Sequence, residues 1–305
     1  MTSRQKGLLF ATLAALIYGV TFTVAKDVMQ THITSFAFVL MRVSGAMGVF
    51  WLFSFFDRNK PQEKINQKDY INFFIAAVFG IAINMLSFLS GLHLTSPISA
   101  SVLMITAPIF VMIFSFMFLK NPLTSFKITG VLLGMAGAAF LILYGKKTGM
   151  HASNPKLGNI LVALNAASYA FYLILAKPIL EKYSPVTFAK WLYTFGFLLV
   201  LPFTVKEFVH LEWTQIPIEV HAKIAFVVVF STVLTYLFNL IALAALKPTT
   251  MSVFIYLQPL IASIFAIFVG ADNLNWTKII AAVLIFSGVY LVTKSTAKNT
   301  KKTNL

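Results

Sequence analysis

Catalysis needs groups that exchange protons, hold metals or attack, and in this sequence of 305 residues such groups are few and scattered. It has nine carboxylates, five histidines and no cysteine. The acids (Asp57, Glu63, Asp69, Glu181, Glu207, Glu212 and Glu219, with Asp27 and Asp272) fall between long apolar runs or at their ends. The histidines, at 32, 93, 151, 210 and 221, lie in or beside the same connections. There is no His-Glu-x-x-His and no pair of acids inside an apolar run, so metal-assisted hydrolysis has no framework. Without cysteine there is no disulfide scaffold, thiolate metal site or catalytic thiol. The phosphate loop of direct ATP users is missing too. The reading is of a non-enzyme that calls for no cofactor and no metal.

The remaining chemistry is that of binding. Asn165, Tyr169 and Tyr172 recur at i, i+4, i+7, which puts them on one helical face. Tyr18 and Thr21 repeat part of that face near the N-terminus. Gly80, Asn84, Ser87 and Gly91 form a second small-polar stripe, and Ser231 and Thr235, with Asn239 beside them, a third. Thr249, Ser252, Tyr256, Pro259 and Ser263 make a fourth, with Gln258 next to it. Ser99, Ser101 and Thr106 cluster around Pro97 and Pro108. A tyrosine offers broad apolar contact with a polar tip, and amides supply orienting hydrogen bonds. Candidate substrate contacts are therefore Tyr18, Asn84, Asn165, Tyr169, Tyr172, Thr235, Asn239, Tyr256 and Gln258. Single Ser and Thr read instead as interhelical glue. Arg42 is the one charge well inside an apolar run; it either contacts an anion through its guanidinium fork or snorkels toward the membrane surface. Pro108 and Pro259 each free a carbonyl four residues earlier and read as helix breaks.

Composition dictates the elements that hold these residues. The chain is 59% hydrophobic and 11% charged, with a mean hydropathy of +0.85. That excludes an ordinary soluble domain, in which about 25% of residues are charged. A helix crosses hydrocarbon with about 20 apolar residues. Ten such runs occur, near 7–25, 35–56, 71–92, 98–119, 126–144, 158–176, 186–205, 224–245, 250–269 and 277–293. They are too long and unbroken for barrel strands. The first follows Arg4 and Lys6 as a signal peptide would, but its length and its counterpart in mid-chain read as a retained helix. Of the lysines and arginines outside the runs, fifteen lie on the side of the termini and seven on the other. That bias puts both termini in the cytoplasm, in a multi-pass protein of the cell (inner) membrane. It also accounts for the net charge of +15 without a nucleic-acid partner; the partners expected are the lipid bilayer and a small-molecule substrate.

Sliding the chain by 151 residues aligns its halves without a gap. Gly7, Tyr18, Lys26 and Gly45 fall on Gly158, Tyr169, Lys177 and Gly196, and Pro97, Pro108, Lys127 and Gly137 on Pro248, Pro259, Lys278 and Gly288. The fold expected is an all-α integral membrane protein, ten transmembrane helices in two five-helix repeats. The repeats run over 7–144 and 158–293, joined by a linker at 145–157 and followed by a basic cytoplasmic tail at 294–305. An odd number of spans per repeat inverts the second copy, a plan common among secondary transporters. In the fifth span Gly130, Gly134 and Ala138 form a ridge for close packing, within one half or between two copies in a homodimer.

In Leu40-Met41-Arg42, in Ala107-Pro108 and Gln258-Pro259, and in the small-residue fifth and tenth spans, the chain resembles the drug/metabolite transporter superfamily in its form with two EamA-type domains. The resemblance covers nearly the whole chain. One departure stands out: where that family commonly carries a Glu after the fourth and ninth helices, nine residues before a Gly, this chain has Asn121 ahead of Gly130 and Asp272 ahead of Ala281. The resemblance implies transport of small polar metabolites, such as amino acids or purine- and nucleotide-like compounds, often as export. The alternatives from composition are a channel or a non-transporting membrane scaffold, with an intramembrane enzyme last.

Overall fold

Within lipid a backbone must close its own hydrogen bonds, and a helix does so inside the segment. The computed structural model describes residues 1–31, 33–56, 64–95, 97–144, 154–268 and 274–303, where every regular element is helical. Asp57, Arg58, Lys60, Glu63, the linker over 145–153, Asp272, and the side chains of Thr23, Lys26, Asp27, His93, Pro97, Ser99, Ser101 and the tail beyond Ser295 lie outside the described part.

In chain order the helices are α1 (Ser3–Thr31) and α2 (Ser35–Phe56), then α3, built of Gln67–Ala77, a π segment Val78–Ala82, and Ile83–Leu94. Next come α4 (Pro97–Met104 and Ala107–Leu119), α5 (Ser125–Leu143), α6 (Pro155–Leu180) and α7 (Pro185–Val209). α8 joins Ile218–Phe226, a π segment Val227–Leu234, and Thr235–Ala245. α9 joins Pro248–Ser252, a 3-10 segment Val253–Tyr256, and Leu257–Phe268, and α10 is Trp276–Thr303. Among the described residues, α2 to α10 each hold a stretch long and apolar enough to cross a bilayer. α1, of 29 residues, carries the apolar run 7–25. The chain is an all-α, multi-pass membrane protein.

Local sequence marks the helix ends. Thr124, Asn154, Ser184 and Asn275 accept a backbone N–H of the first turn of α5, α6, α7 and α10, which satisfies donors that a helix start leaves open. Pro155 and Pro185 occupy first helical positions, where no N–H is needed. α4 ends at Lys120, whose φ of 51° turns the chain into the left-handed region. Asn121 then donates to the Ser115 hydroxyl at 2.8 Å.

The principal helix pairs are preserved when the halves are exchanged. α3 lies on α6 as α8 lies on α1; α4 on α6 as α9 on α1; α3 on α7 as α8 on α2. α2 packs on its counterpart α7, α4 on α9, and α5 on α10. Along α5 and α10 the contacts run in opposite directions: Gly130 faces Gly288 and Val292, and Gly137 faces Ala281 and Leu284. Matched helices packed antiparallel are what an inverted repeat requires. The matched glycines Gly137 and Gly288 make this approach possible. A Cβ on Gly288 would lie 2.5 Å from the Gly130 carbonyl oxygen, and one on Gly137 would lie 3.0 Å from that of Ala281. Gly130 and Gly134 of the predicted ridge therefore find partners within the same chain. On α2 and α7, the Trp51 indole donates to Thr194 at 2.9 Å, and Lys190 donates to Ser54 at 3.0 Å while sitting over the Trp51 ring.

The π segments of α3 and α8 fall at matched positions. Hydroxyls bind to carbonyls there: Ser168 of α6 donates to Phe79, Thr232 to Val227 and Thr235 to Phe230, at 2.6, 3.1 and 2.8 Å. α4 and α9 break just before their matched prolines: α4 is interrupted between Met104 and Ala107, ahead of Pro108, and α9 passes through its 3-10 segment ahead of Pro259.

Candidate functional site

Where α1, α6 and α8 meet, the chain encloses a cavity of about 10 Å³. Tyr18 reaches it from α1, Tyr169, Tyr172 and Leu173 from α6, and Tyr236, Asn239, Leu240 and Leu243 from α8. The space admits roughly one water. The tyrosines are held from behind. Tyr172 stacks on Phe188 of α7 at 6.4 Å between ring centroids, with 11° between planes. Its ring also covers Gly80 in the π segment of α3, where a Cβ would lie 2.5 Å from the ring carbon Cδ2. Tyr236 meets Tyr193 of α7 edge-on at 5.2 Å, and Tyr193 lies on Phe50 of α2 at 5.5 Å. Residues from α2, α3 and α7 thus fix the rings that α1, α6 and α8 present.

Arg42 is half-buried on α2. Its Nε donates to the Thr232 hydroxyl at 3.0 Å, and Thr232 donates to the Val227 carbonyl inside the π segment. Among the described residues no carboxylate pairs with it. On the side of the termini, Lys177 of α6 donates to the carbonyls of Leu243 and Ala244 at 3.1 and 2.9 Å. It thereby ties α6 to the last turn of α8, directly beside the cavity residue Leu243.

Of the nine residues named as contacts from spacing, Tyr18, Tyr169, Tyr172 and Asn239 share this cavity, and the other five are off its lining. Asn84 and Asn165 each donate a side-chain amide to the other's backbone carbonyl, at 3.4 and 2.7 Å, and so clamp α3 to α6. Thr235 turns its hydroxyl back onto Phe230. Tyr256 is fully buried with its ring over Gly134 of α5, and its hydroxyl has no hydrogen-bond partner among the described residues. Gln258 is half-buried at the middle of α9. Spacing alone does not select Tyr236. A 3.6-residue period through α8 picks out Ser231, Thr235 and the neighbourhood of Asn239, but the π segment adds residues to its turns and rotates the helix beyond it. The signal was present as Tyr236, Asn239 and Leu243 at i, i+3, i+7.

Hydroxyls, one amide and aromatic faces can hold and orient a small molecule. They hold no group poised as a base or nucleophile, and among the described residues no three His, Asp or Glu gather to bind a metal. Known proteins of similar sequence are named as transporters. An uncharacterized transporter of Archaeoglobus fulgidus is 23% identical over 268 residues, 88% of this chain and 89% of that protein. The uncharacterized inner membrane transporter YicL of Salmonella typhimurium is 24% identical over 294 residues, 96% of each chain. A solved crystal structure superposes with a TM-score of 0.77 over 97% of this chain and 99% of the other, at 16% identity, which speaks for the fold alone. The profile of the EamA-like transporter family matches twice, over residues 5–143 and 156–294. Matched across both halves, the chain belongs to the EamA-like transporter family.

Proposed function

We propose that this membrane transporter is a secondary carrier that moves a small polar metabolite, such as an amino acid or a purine- or nucleotide-like compound, by alternating access. One observation carries the reading: the principal helix pairs are preserved when the halves are exchanged. A scaffold of two inverted copies has two equivalent ways to close, one for each face. A cavity of about 10 Å³ holds no metabolite. The described conformation is thus a closed one on this reading, and the cavity widens when α6 and α8 separate. Tyr18, Tyr169, Tyr172 and Asn239 contact the substrate, joined by Asn84, Asn165, Thr235, Tyr256 and Gln258 as the cavity opens. The excess of Lys and Arg on the side of the termini supports a cytoplasmic location for both ends, in the cell (inner) membrane.

The nine acids leave the interior of the spans without a carboxylate. Proton-coupled carriers commonly hold one there. Facilitated diffusion or exchange, working as export or uptake with the gradient, is the consequence of that absence. The test is counterflow in proteoliposomes at equal pH on both sides, with a library of labelled metabolites. Accelerated entry of one compound when it is preloaded inside supports the carrier. A steady conductance that does not saturate favours a channel instead, and no movement of any compound favours a scaffold.

A further inference from the structure

α8 is built in two pieces that different neighbours hold. The first piece and most of the π segment are fixed to α2. Val220, Ile224 and Val227 are buried in one cluster with Phe38 and Met41. Gly45 lets α2 approach so closely that a Cβ there would lie 2.6 Å from Cγ1 of Val228. Arg42 donates to the Thr232 hydroxyl at 3.0 Å. The second piece, Thr235–Ala245, carries Tyr236, Asn239, Leu240 and Leu243 to the cavity. It packs on α1 through apolar groups, Phe238 against Phe10 at 5.1 Å and Ala245 against Gly7. The contact with Gly7 also places its end on the face that carries the termini. Its tie to α6 is Lys177, which donates to the Leu243 and Ala244 carbonyls of its last turn.

Between the two pieces the π segment completes its own hydrogen bonds. Thr232 donates to the Val227 carbonyl and Thr235 to that of Phe230, each five residues back. These carbonyls stay paired when the helix bends, the condition for irregular backbone at membrane depth, and π turns are an identified cause of helix bending. The matched segment of α3 is bound differently. Ser168 of α6 holds its Phe79 carbonyl at 2.6 Å, and Tyr172 of α6 covers its Gly80. Beyond it, Asn84 and Asn165 clamp α3 to α6, the Thr95 hydroxyl donates to Asn159 at 2.6 Å, and the Asn154 N–H donates to the Leu94 carbonyl at 3.1 Å. At the opposite end of α3, Tyr183, just after α6, donates to Asp69 at 2.8 Å. α3 and α6 are thus one body, hydrogen-bonded along its length, and the second piece of α8 is hydrogen-bonded to that body through Lys177.

We propose that Thr235–Ala245 is the gate on the face that carries the termini. It swings away from α6 about the last turn of the π segment, while α3 stays on α6 and the first piece of α8 stays on α2. Lys177 is the latch. Swinging out withdraws Tyr236 and Asn239 from Tyr169 and Tyr172 and opens the cavity toward the termini. The released ammonium keeps Glu181, 3.9 Å away, as a partner. This assignment rests on the reading of the chain as an alternating-access carrier.

The experiment uses the full chain in lipid nanodiscs. With no native cysteine, pairs of introduced cysteines carry spin labels without background, and pulsed electron paramagnetic resonance reads the distances. Three pairs at positions off the cavity lining suffice: Lys68→Cys with Ile241→Cys across the gate, Phe74→Cys with Leu164→Cys within the α3–α6 body, and Leu52→Cys with Val229→Cys between α2 and the fixed part of α8. The wild type is expected to show two distances for the first pair and one for each of the others. Lys177→Met raises the share of the longer gate distance several-fold and leaves the other two pairs unmoved. A second distance for Leu52–Val229 means that α8 moves whole and overturns the hinge. A second distance for Phe74–Leu164 overturns the single α3–α6 body. One distance for every pair in the wild type overturns the gate without relying on Lys177→Met. Gate motion as expected, with no counterflow of any compound, would leave the hinge standing and remove the carrier. Counterflow with all three distances fixed would do the reverse.

Discussion

Tyr172 has its place because Gly80 has no side chain. A Cβ at position 80 would sit 2.5 Å from the ring, and Phe188 stacks on its other side, so the ring could move only into the cavity. Gly80→Ala is therefore expected to lower counterflow at least roughly tenfold in a protein that still elutes as a folded species, since an overpacked site typically costs about 1–3 kcal/mol. Unchanged counterflow would mean that the ring is not part of the path. Asn84 and Asn165 make a contrasting prediction. Their reciprocal bonds hold α3 to α6, and interhelical hydrogen bonds in membranes average about 0.6 kcal/mol. Alanine at either position should lower thermal stability modestly, and because each amide donates to a backbone carbonyl that alanine keeps, the double variant should cost about the sum of the two, as measured in a cycle of melting curves.

At the scale of elements, apolar length and the matched prolines, lysines and glycines made the ten helices and the correspondence of the two halves legible. On α1 and α6 the expected stripe coincides only in part with the cavity: Tyr18, Tyr169 and Tyr172 line it, whereas Asn165, one turn earlier on the same stripe, turns to α3. α8 was not legible in the same way. A π turn is a backbone phase shift with no side-chain signature, so the hydroxyl stripe of Ser231 and Thr235 pointed past Tyr236. Nor did the Gly130–Gly134–Ala138 pattern name its partners, because proximity between α5 and α10 depends on the inversion of the halves rather than on either helix alone. The element-scale prediction concerns Lys177, which joins α6 to the final carbonyls of α8 beside Leu243. Lys177→Met removes that tie and should favour the state open toward the termini. The chain has no native cysteine, so a single one at Leu243 reports cleanly. It should react several-fold faster with a thiol reagent in the Lys177→Met background. An unchanged rate would make the tie a mere cap of α8.

The whole molecule is two copies of one five-helix unit, joined along α5–α10 and α2–α7 and enclosing a tyrosine-lined cavity between α1, α6 and α8. Tyr18 and Tyr169 are a matched pair that both line the cavity, while Tyr236 and Asn239 stand opposite Met85 and Phe88. The most direct test of alternating access uses Asn239, which lines the cavity. Asn239→Cys is placed in sealed vesicles and exposed to a membrane-impermeant thiol reagent from each side in turn, while ionic conductance is recorded. The account predicts labelling of the same residue from either side with no conductance, because the cavity opens to one face at a time. Labelling from one side alone, or from both sides with a standing conductance, would contradict it.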